Sequence, residues 1–261
     1  MPYSPEQISR YLARIGVTGG LPKTQEALSR IVSAHYRTVP YENLDILRGR
    51  PLGLDPDALY RKIVENRRGG FCFELNAALG NLLEGLGFSV TRLAARFLRG
   101  EPEGAVPMRR HQVLLAHLPE GDFLCDAGIM REAPRMALPL VYGQTFSDGM
   151  GEYRLERDPF YGTVLLQRLR EPEFVPFFGF TMEPQTPGDY VMPCFFCEKH
   201  PDSPFIRDRM VGIYTETGSW NLVGNSLRRL ENGVVAKRRE LSEEEVPETL
   251  ERIFGIPGIN E

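Results

Sequence analysis

Apolar positions recur every three to four residues over the first third of the chain, and the pattern turns strand-like beyond it. Ile8, Leu12 and Ile15 form one helical stripe, opened by a Ser4 cap with Pro5 at the first helical position. Gly16, Gly19 and Gly20 break it. A second helix opens after Pro22-Lys23-Thr24 and carries Leu28, Ile31, Val32 and His35. Asp55-Pro56 opens a third, with Leu59, Ile63 and Val64 inside. The fourth starts at Cys72, follows Leu75, Ala78, Leu79, Leu82, Leu83 and Leu86, and ends near Gly85-Leu86-Gly87. Val39-Pro40-Tyr41-Glu42-Asn43-Leu44-Asp45 has no helical period, and Pro40 biases Val39 toward extended backbone. From residue 88 onward β-branched and aromatic residues dominate. Strands are expected at 88–98, 111–118 and 122–126, the last two joined by the turn Pro119-Glu120-Gly121. Further strands are expected at 153–157, 162–169, 209–215, 219–223 and 226–230. Glu231-Asn232-Gly233 signals a hairpin into a strand ending at Leu241. Ser242 with Glu245 then forms a capping box for a final helix through Ile253, closed by Gly255. Helices, then many strands, then one helix is an α+β order with segregated parts, not a doubly wound sheet.

Composition narrows the class. The 261 residues are 42% hydrophobic and 25% charged, enough for a large core in one or two domains. A net charge of −4 gives no footprint for nucleic acid or an anionic membrane. The apolar runs are too short to span a bilayer. The residues following Met1 lack the basic-then-apolar layout of a signal peptide. A cytoplasmic location with four reduced cysteines is expected.

Candidate chemistry centres on Arg67-Arg68-Gly69-Gly70-Phe71-Cys72-Phe73-Glu74-Leu75-Asn76. A cysteine at a helix N-terminus gains thiolate character from the helix dipole and free N–H groups. The two glycines allow a sharp turn and close approach of a substrate to the sulfur. A cysteine nucleophile needs a base, and the base an orienting partner. His111 starts the first strand of the 111–126 hairpin and Asp126 finishes the second, so the hairpin sets them side by side. Facing Cys72, they form a Cys-His-Asp triad.

These motifs resemble the arylamine N-acetyltransferase family across nearly the whole chain. Arg68-Gly69-Gly70-Phe71-Cys72-Phe73-Glu74-Leu75-Asn76 is similar to the family's R-G-G-x-C-x-E-x-N, and Pro40-Tyr41-Glu42-Asn43-Leu44 to its P-F-E-N-L. The intervals from Cys72 to His111 and from His111 to Asp126 are similar to the family's triad spacing. The resemblance implies an α+β fold: an N-terminal helical bundle (1–87) carrying the nucleophile, a central antiparallel β-barrel-like domain (88–203) carrying His111 and Asp126, and a C-terminal α/β lid (204–261), around a cysteine-protease-like core. It implies acetyl transfer from acetyl-CoA to an aromatic amine or hydrazine by a ping-pong route through acetyl-Cys72, with no metal. His111 would be the base, Asp126 would orient it, and the Cys72 N–H would be an oxyanion donor. Tyr41, Phe97 and Ile129 would line the acceptor pocket, with a place in the core as the other reading of each. Arg68 and Glu42 are expected to form a buried ion pair that ties the second loop to the nucleophile turn.

The chain departs from the family pattern at several places. Asp126-Ala127-Gly128-Ile129-Met130 stands where V-G-F-G usually follows the aspartate, so an aromatic pocket wall becomes aliphatic. Leu75 stands where glutamine is common. Arg109-Arg110 precedes the histidine in place of a small hydroxyl residue, to receive an acidic acceptor or CoA phosphates, or to form a solvated loop. Cys194, Cys197 and His200 resemble a metal half-site without a fourth ligand, so no metal is expected. Cys125 and His35 are expected in the core, and His117 in a strand or turn. The same triad also serves a hydrolase, or an amide synthase with another acyl donor, and a binding module that keeps the motif for structure is the remaining reading.

Overall fold

The computed structural model describes residues 3–102, 104–169 and 172–258. Helices begin where the capping side chains stand. α1 (Pro5–Arg14) starts in a box in which Gln7 N donates to Ser4 Oγ at 3.2 Å and Ser4 N to Gln7 Oε1 at 2.9 Å. α2 (Gln25–Thr38) starts where Ala27 N donates to Thr24 Oγ1. β1 (Tyr41–Glu42) and the short α3 (Leu44–Leu47) follow. α4 (Pro56–Tyr60) starts where Ala58 N donates to Asp55 Oδ1, and it widens into a π turn over Arg61–Glu65. α5 (Cys72–Gly85) carries the candidate nucleophile. Every residue from Cys72 to Leu83 is buried, because the helix is apolar on nearly all sides.

β2 (Ser89–Phe97), β3 (His111–Leu118), β4 (Gly121–Cys125), β5 (Leu138–Pro139), β6 (Thr145–Ser147), β7 (Glu152–Asp158), β8 (Gly162–Arg168) and β9 (Val175–Phe180) form one antiparallel sheet. Its order is β5-β4-β3-β2-β9-β8-β7-β6. The chain after β5 meets β7 where Gly143 N donates to Leu155 O, which nearly closes the sheet into a barrel. β9 has no clean signature in the sequence: Pro176 sits beside a register shift, and Gly179 leaves one face bare.

α6 (Val191–Lys199) was also illegible, since only Cys194 and Cys197 on it are buried. The chain ends with β10 (Met210–Tyr214), β11 (Gly218–Val223), β12 (Ser226–Glu231), β13 (Val234–Glu240) and α7 (Val246–Phe254). The turn Asn232-Gly233 has positive φ at both residues, as a tight hairpin requires. Residues 243–245 form a 3₁₀ turn, and α7 begins only after it. Gly255 ends α7 at φ 64°.

The first 87 residues are not wholly helical. β1 adds itself to the edge of the last sheet, in the order β1-β10-β11-β12-β13, with Tyr41 opposite Gly212 and Glu42 opposite Val211. Leu44 packs with Val211, Leu222, Leu250 and Phe254 in a second, smaller core under α7. The result is a mixed α/β fold around a nearly closed antiparallel barrel. Among the described residues no helix is long and apolar enough to cross a membrane.

Candidate active site

The turn before Cys72 is held from two sides. Gly70 N donates to Pro40 O at 3.2 Å and Glu42 N to Gly70 O at 2.9 Å, which staples the turn to β1. A β-carbon on Gly69 would collide with the Pro40 carbonyl. The absence of a side chain on Gly69 thus permits this close backbone packing. Around the turn lies a charge network. Arg68 Nη2 and Nε both donate to Glu42 Oε1, at 2.6 and 2.9 Å, and Nη2 also reaches Asp45 at 3.2 Å. Lys62 bridges Asp45 Oδ2 at 2.7 Å and Glu74 Oε1 at 2.8 Å. Glu74 Oε2 in turn accepts from Phe71 N and caps α5. Burial pushes Asp45 up, but Lys62 and Arg68 outweigh it and hold the carboxyl below the usual range. At Glu74 burial outweighs Lys62, and the carboxyl is raised.

Cys72 is the first residue of α5 and its Sγ reaches Arg110 O at 3.8 Å. Burial pushes its thiol well up, and Cys197, Cys194 and Asp126 push the same way; the Phe73 N–H opposes them. The helix terminus alone therefore does not make a thiolate here.

His111 and Asp126 are joined. His111 Nε2 lies 2.6 Å from Asp126 Oδ2, and both groups are buried. They are not a ladder pair. The β3–β4 register ends at Leu114 opposite Cys125, and the chain after Cys125 turns so that the carboxylate reaches the ring. Asn76 makes that turn fit. Its Nδ2 donates to Asp126 Oδ1 at 2.9 Å and to Gln112 O at 2.6 Å, while its Oδ1 accepts from Ala127 N at 2.8 Å. Gly128 N closes the set on Asp126 Oδ1 at 2.7 Å. The second ring nitrogen of His111, Nδ1, is buried and meets no hydrogen-bond partner among the described residues.

An N-acetyltransferase family profile matches residues 24–258. An arylamine N-acetyltransferase of Mycolicibacterium smegmatis is 34% identical over 94% of this chain and 90% of its own. The chain belongs to the arylamine N-acetyltransferase family. Solved relatives share its fold. The arylamine N-acetyltransferase of Salmonella typhimurium superposes with a TM-score of 0.92 at 27% identity, covering 99% of this chain and 94% of that one. The Mycobacterium marinum arylamine N-acetyltransferase in complex with CoA superposes at 0.89 and 33%, covering 95% and 92%.

This N-acetyltransferase places its three proposed pocket residues in different settings. Tyr41 is buried with its ring against Phe71, and its phenol is pushed well up, by burial first and by Cys72 next. Phe97 packs at a tilt against the His111 ring, with centroids 4.7 Å apart. Ile129 is buried in the loop after Asp126. Met130 occupies the space a side chain on Gly212 would need. Of the two arginines, Arg110 lies over the Phe205 ring at 5.7 Å and Arg109 pairs with Glu183 at 3.4 Å.

His35 is buried, with Nε2 2.8 Å from Tyr11 Oη. His117 bridges Thr91 and Asp122 on the two strands that flank β3. Cys125 is buried. His200 stacks on Phe196 in a partly exposed position, apart from the buried Cys194 and Cys197. No group of three metal-binding side chains occurs among the described residues. Asn76, Lys62 and Asp45 had no assigned role from sequence. The signal for Asn76 was present all the same: it stands four residues after Cys72, on the same helix face.

Proposed function

We propose that the enzyme transfers an acetyl group from acetyl-CoA to an aromatic amine or hydrazine by a ping-pong route through Cys72. The observation that carries this reading is the buried His111–Asp126 pair with its free Nδ1, set beside a helix that begins with a cysteine. His111 takes the Cys72 proton at Nδ1, and Asp126 balances the imidazolium at Nε2. The ion pair overcomes the burial that would otherwise keep the thiol neutral. The thiolate adds to the thioester carbonyl, and CoA leaves as its thiol with the proton from His111. The amine nitrogen then adds to acetyl-Cys72. Collapse expels the cysteine sulfur, the amine proton goes to His111, and an amide leaves. The thioester on Cys72 is about as energetic as the one it replaces, so the acetyl group stays activated between the two halves.

CoA as donor is supported by the Mycobacterium marinum relative, whose structure holds it. Tyr41, Phe97 and Ile129 form the acceptor walls in this reading. Ile129 gives a flat amine less aromatic surface to stack on than the family pattern supplies.

Intact mass after brief mixing with acetyl-CoA tests the route. One acetyl group on the native chain, none on Cys72→Ser, and its loss on addition of an arylamine are expected. A stable adduct that no amine discharges, or turnover of acetyl-CoA without amine, would replace this reading with an amide synthase or a hydrolase.

A further inference from the structure

One face of β10 looks onto the loop that follows Asp126. Gly212 and Tyr214 are two residues apart on this strand, so they share a face, and Tyr41, opposite Gly212 in β1, shares it too. The loop meets that face at two places. Met130 fills the slot left by the missing side chain of Gly212, where a β-carbon would stand 2.7 Å from the Met130 carbonyl oxygen. Three residues on, Ala133 N donates to Tyr214 Oη at 2.9 Å, and both residues are buried. The Tyr36 ring of α2 packs at a tilt against Tyr214, with centroids 4.6 Å apart, and so holds the phenol in place.

The start of the loop is held by a different set. Asp126 and Ala127 bond to Asn76, and Gly128 packs closely on Cys72 and Asn76. Beyond Ala133, Arg135 N donates to Asp148 Oδ2 at 3.0 Å and Arg135 Nη1 to Thr215 O at 2.9 Å. Between these anchors the chain from Ile129 to Ala133 rests against Gly212 and Tyr214. This stretch is also strained: Glu132 is not a glycine, yet its φ is 62°. Such a backbone is costly for a residue with a β-carbon and persists only where its surroundings hold it. Arg99 holds the Glu132 side chain, and Tyr214 holds the backbone of the next residue.

We infer that Tyr214 is a positioning residue for the acceptor wall, and that β10, through Gly212 and Tyr214, sets which amines the site takes. The inference rests on the reading of Ile129 and Tyr41 as that wall. Tyr214→Phe keeps the ring against Tyr36 but leaves the buried Ala133 N–H without its acceptor. The strained backbone at Glu132 then relaxes, and Ile129 shifts with it. Asp126 stays, because Asn76 and the Gly128 contacts hold it separately. The half-reaction with acetyl-CoA is therefore spared, and the half-reaction with an aromatic amine is not. An amine too small to touch the wall does not sense the change.

Single-turnover mass measurements on the full chain separate the steps. Tyr214→Phe should slow discharge of acetyl-Cys72 by aniline about tenfold, while discharge by hydrazine and formation of acetyl-Cys72 stay within about twofold of native. Gly212→Ala, whose β-carbon drives Met130 outward, should give the same split. Circular dichroism checks folding, and either folded variant carries the test. Equal slowing of all three steps would mean that Tyr214 only supports the fold. An unchanged aniline rate would mean that the loop keeps its place without Tyr214. Each result overturns the inference. Ile129→Ala tells which reading has failed. If it slows discharge by aniline while Tyr214→Phe does not, the inference falls alone; if neither variant does, the wall assignment falls with it. A native chain that takes up no acetyl group overturns the acetyl-transfer reading and this inference together.

Discussion

Asn76 Nδ2 donates to Asp126 Oδ1 at 2.9 Å, and this bond ties the partner of the candidate base to the helix of the candidate nucleophile. Asn76 lies one turn after Cys72, so a single rigid helix sets both distances. Replacing Asn76 with Ala should slow formation of acetyl-Cys72 by about 100-fold, the usual consequence of a displacement near 1 Å. Quenched-flow mass spectrometry measures this step alone. An unchanged rate would mean that Asp126 holds its place without help.

The charge state of Cys72 should depend on His111. In native protein, iodoacetamide should react with Cys72 below neutral pH, because the thiolate persists as an ion pair. In His111→Gln, burial is left unopposed and pushes the thiol well above its ordinary range. The rate should then rise only in alkaline solution. Coincident pH profiles for the two proteins would exclude the ion pair.

Removal of Arg68 should be felt as instability before it is felt as lost catalysis. The Glu42 side chain is fully buried, and its Oε1 depends on Arg68. Arg68→Met leaves that charge unpaired and should lower unfolding free energy by about 3–5 kcal/mol in urea titration. The double variant Arg68→Met with Glu42→Gln should recover part of the loss, since no charge is then stranded.

His35 should set part of the acid sensitivity. Burial depresses its pKa from 6.5 to about 3. The unfolded chain takes up the proton near pH 6.5 while the folded chain refuses it. Stability is therefore full above that pH and falls by about 1.4 kcal/mol per unit below it, down to about pH 3. Between pH 7 and pH 5 the native protein should lose about 2 kcal/mol more than His35→Gln. Parallel urea titrations at the two pH values decide it.

Gly128 admits no side chain. A β-carbon there would stand 2.7 Å from Asn76 Nδ2 and 2.8 Å from the Cys72 Cα and carbonyl oxygen. Gly128→Ala should cost about 1–3 kcal/mol in stability and reduce kcat/KM by about tenfold or more. Thermal unfolding and steady-state rates, read together, separate the two effects.

The elements that announce themselves locally were legible in the sequence. Ser4, Thr24 and Asp55 cap helices where their side chains suggested, and β3 and β4 flank the expected turn. β9 was hidden because Pro176 and Gly179 interrupt its pattern. α6 was hidden because its exposed face carries Val191, Met192 and Phe195, which blurs the polar–apolar contrast a surface helix normally shows. The proximity of His111 and Asp126 followed from the hairpin. The way Asp126 gets there did not, since it depends on Asn76, a residue fifty positions earlier. Long-range clamps of this kind leave no local signal.

β1 has one further consequence. The strand is stapled to the nucleophile turn on one side and to β10 on the other, and Met210 N donates to Asn43 Oδ1 across 167 residues of sequence. On the ribosome, Cys72 emerges long before residues 210–214 exist. Until that last sheet arrives, β1 has a bare edge and the turn before Cys72 lacks half of its support. The setting of the candidate nucleophile is thus assembled late in synthesis, and a truncated chain that ends before β10 carries the whole Arg68–Asn76 motif without the scaffold that holds it.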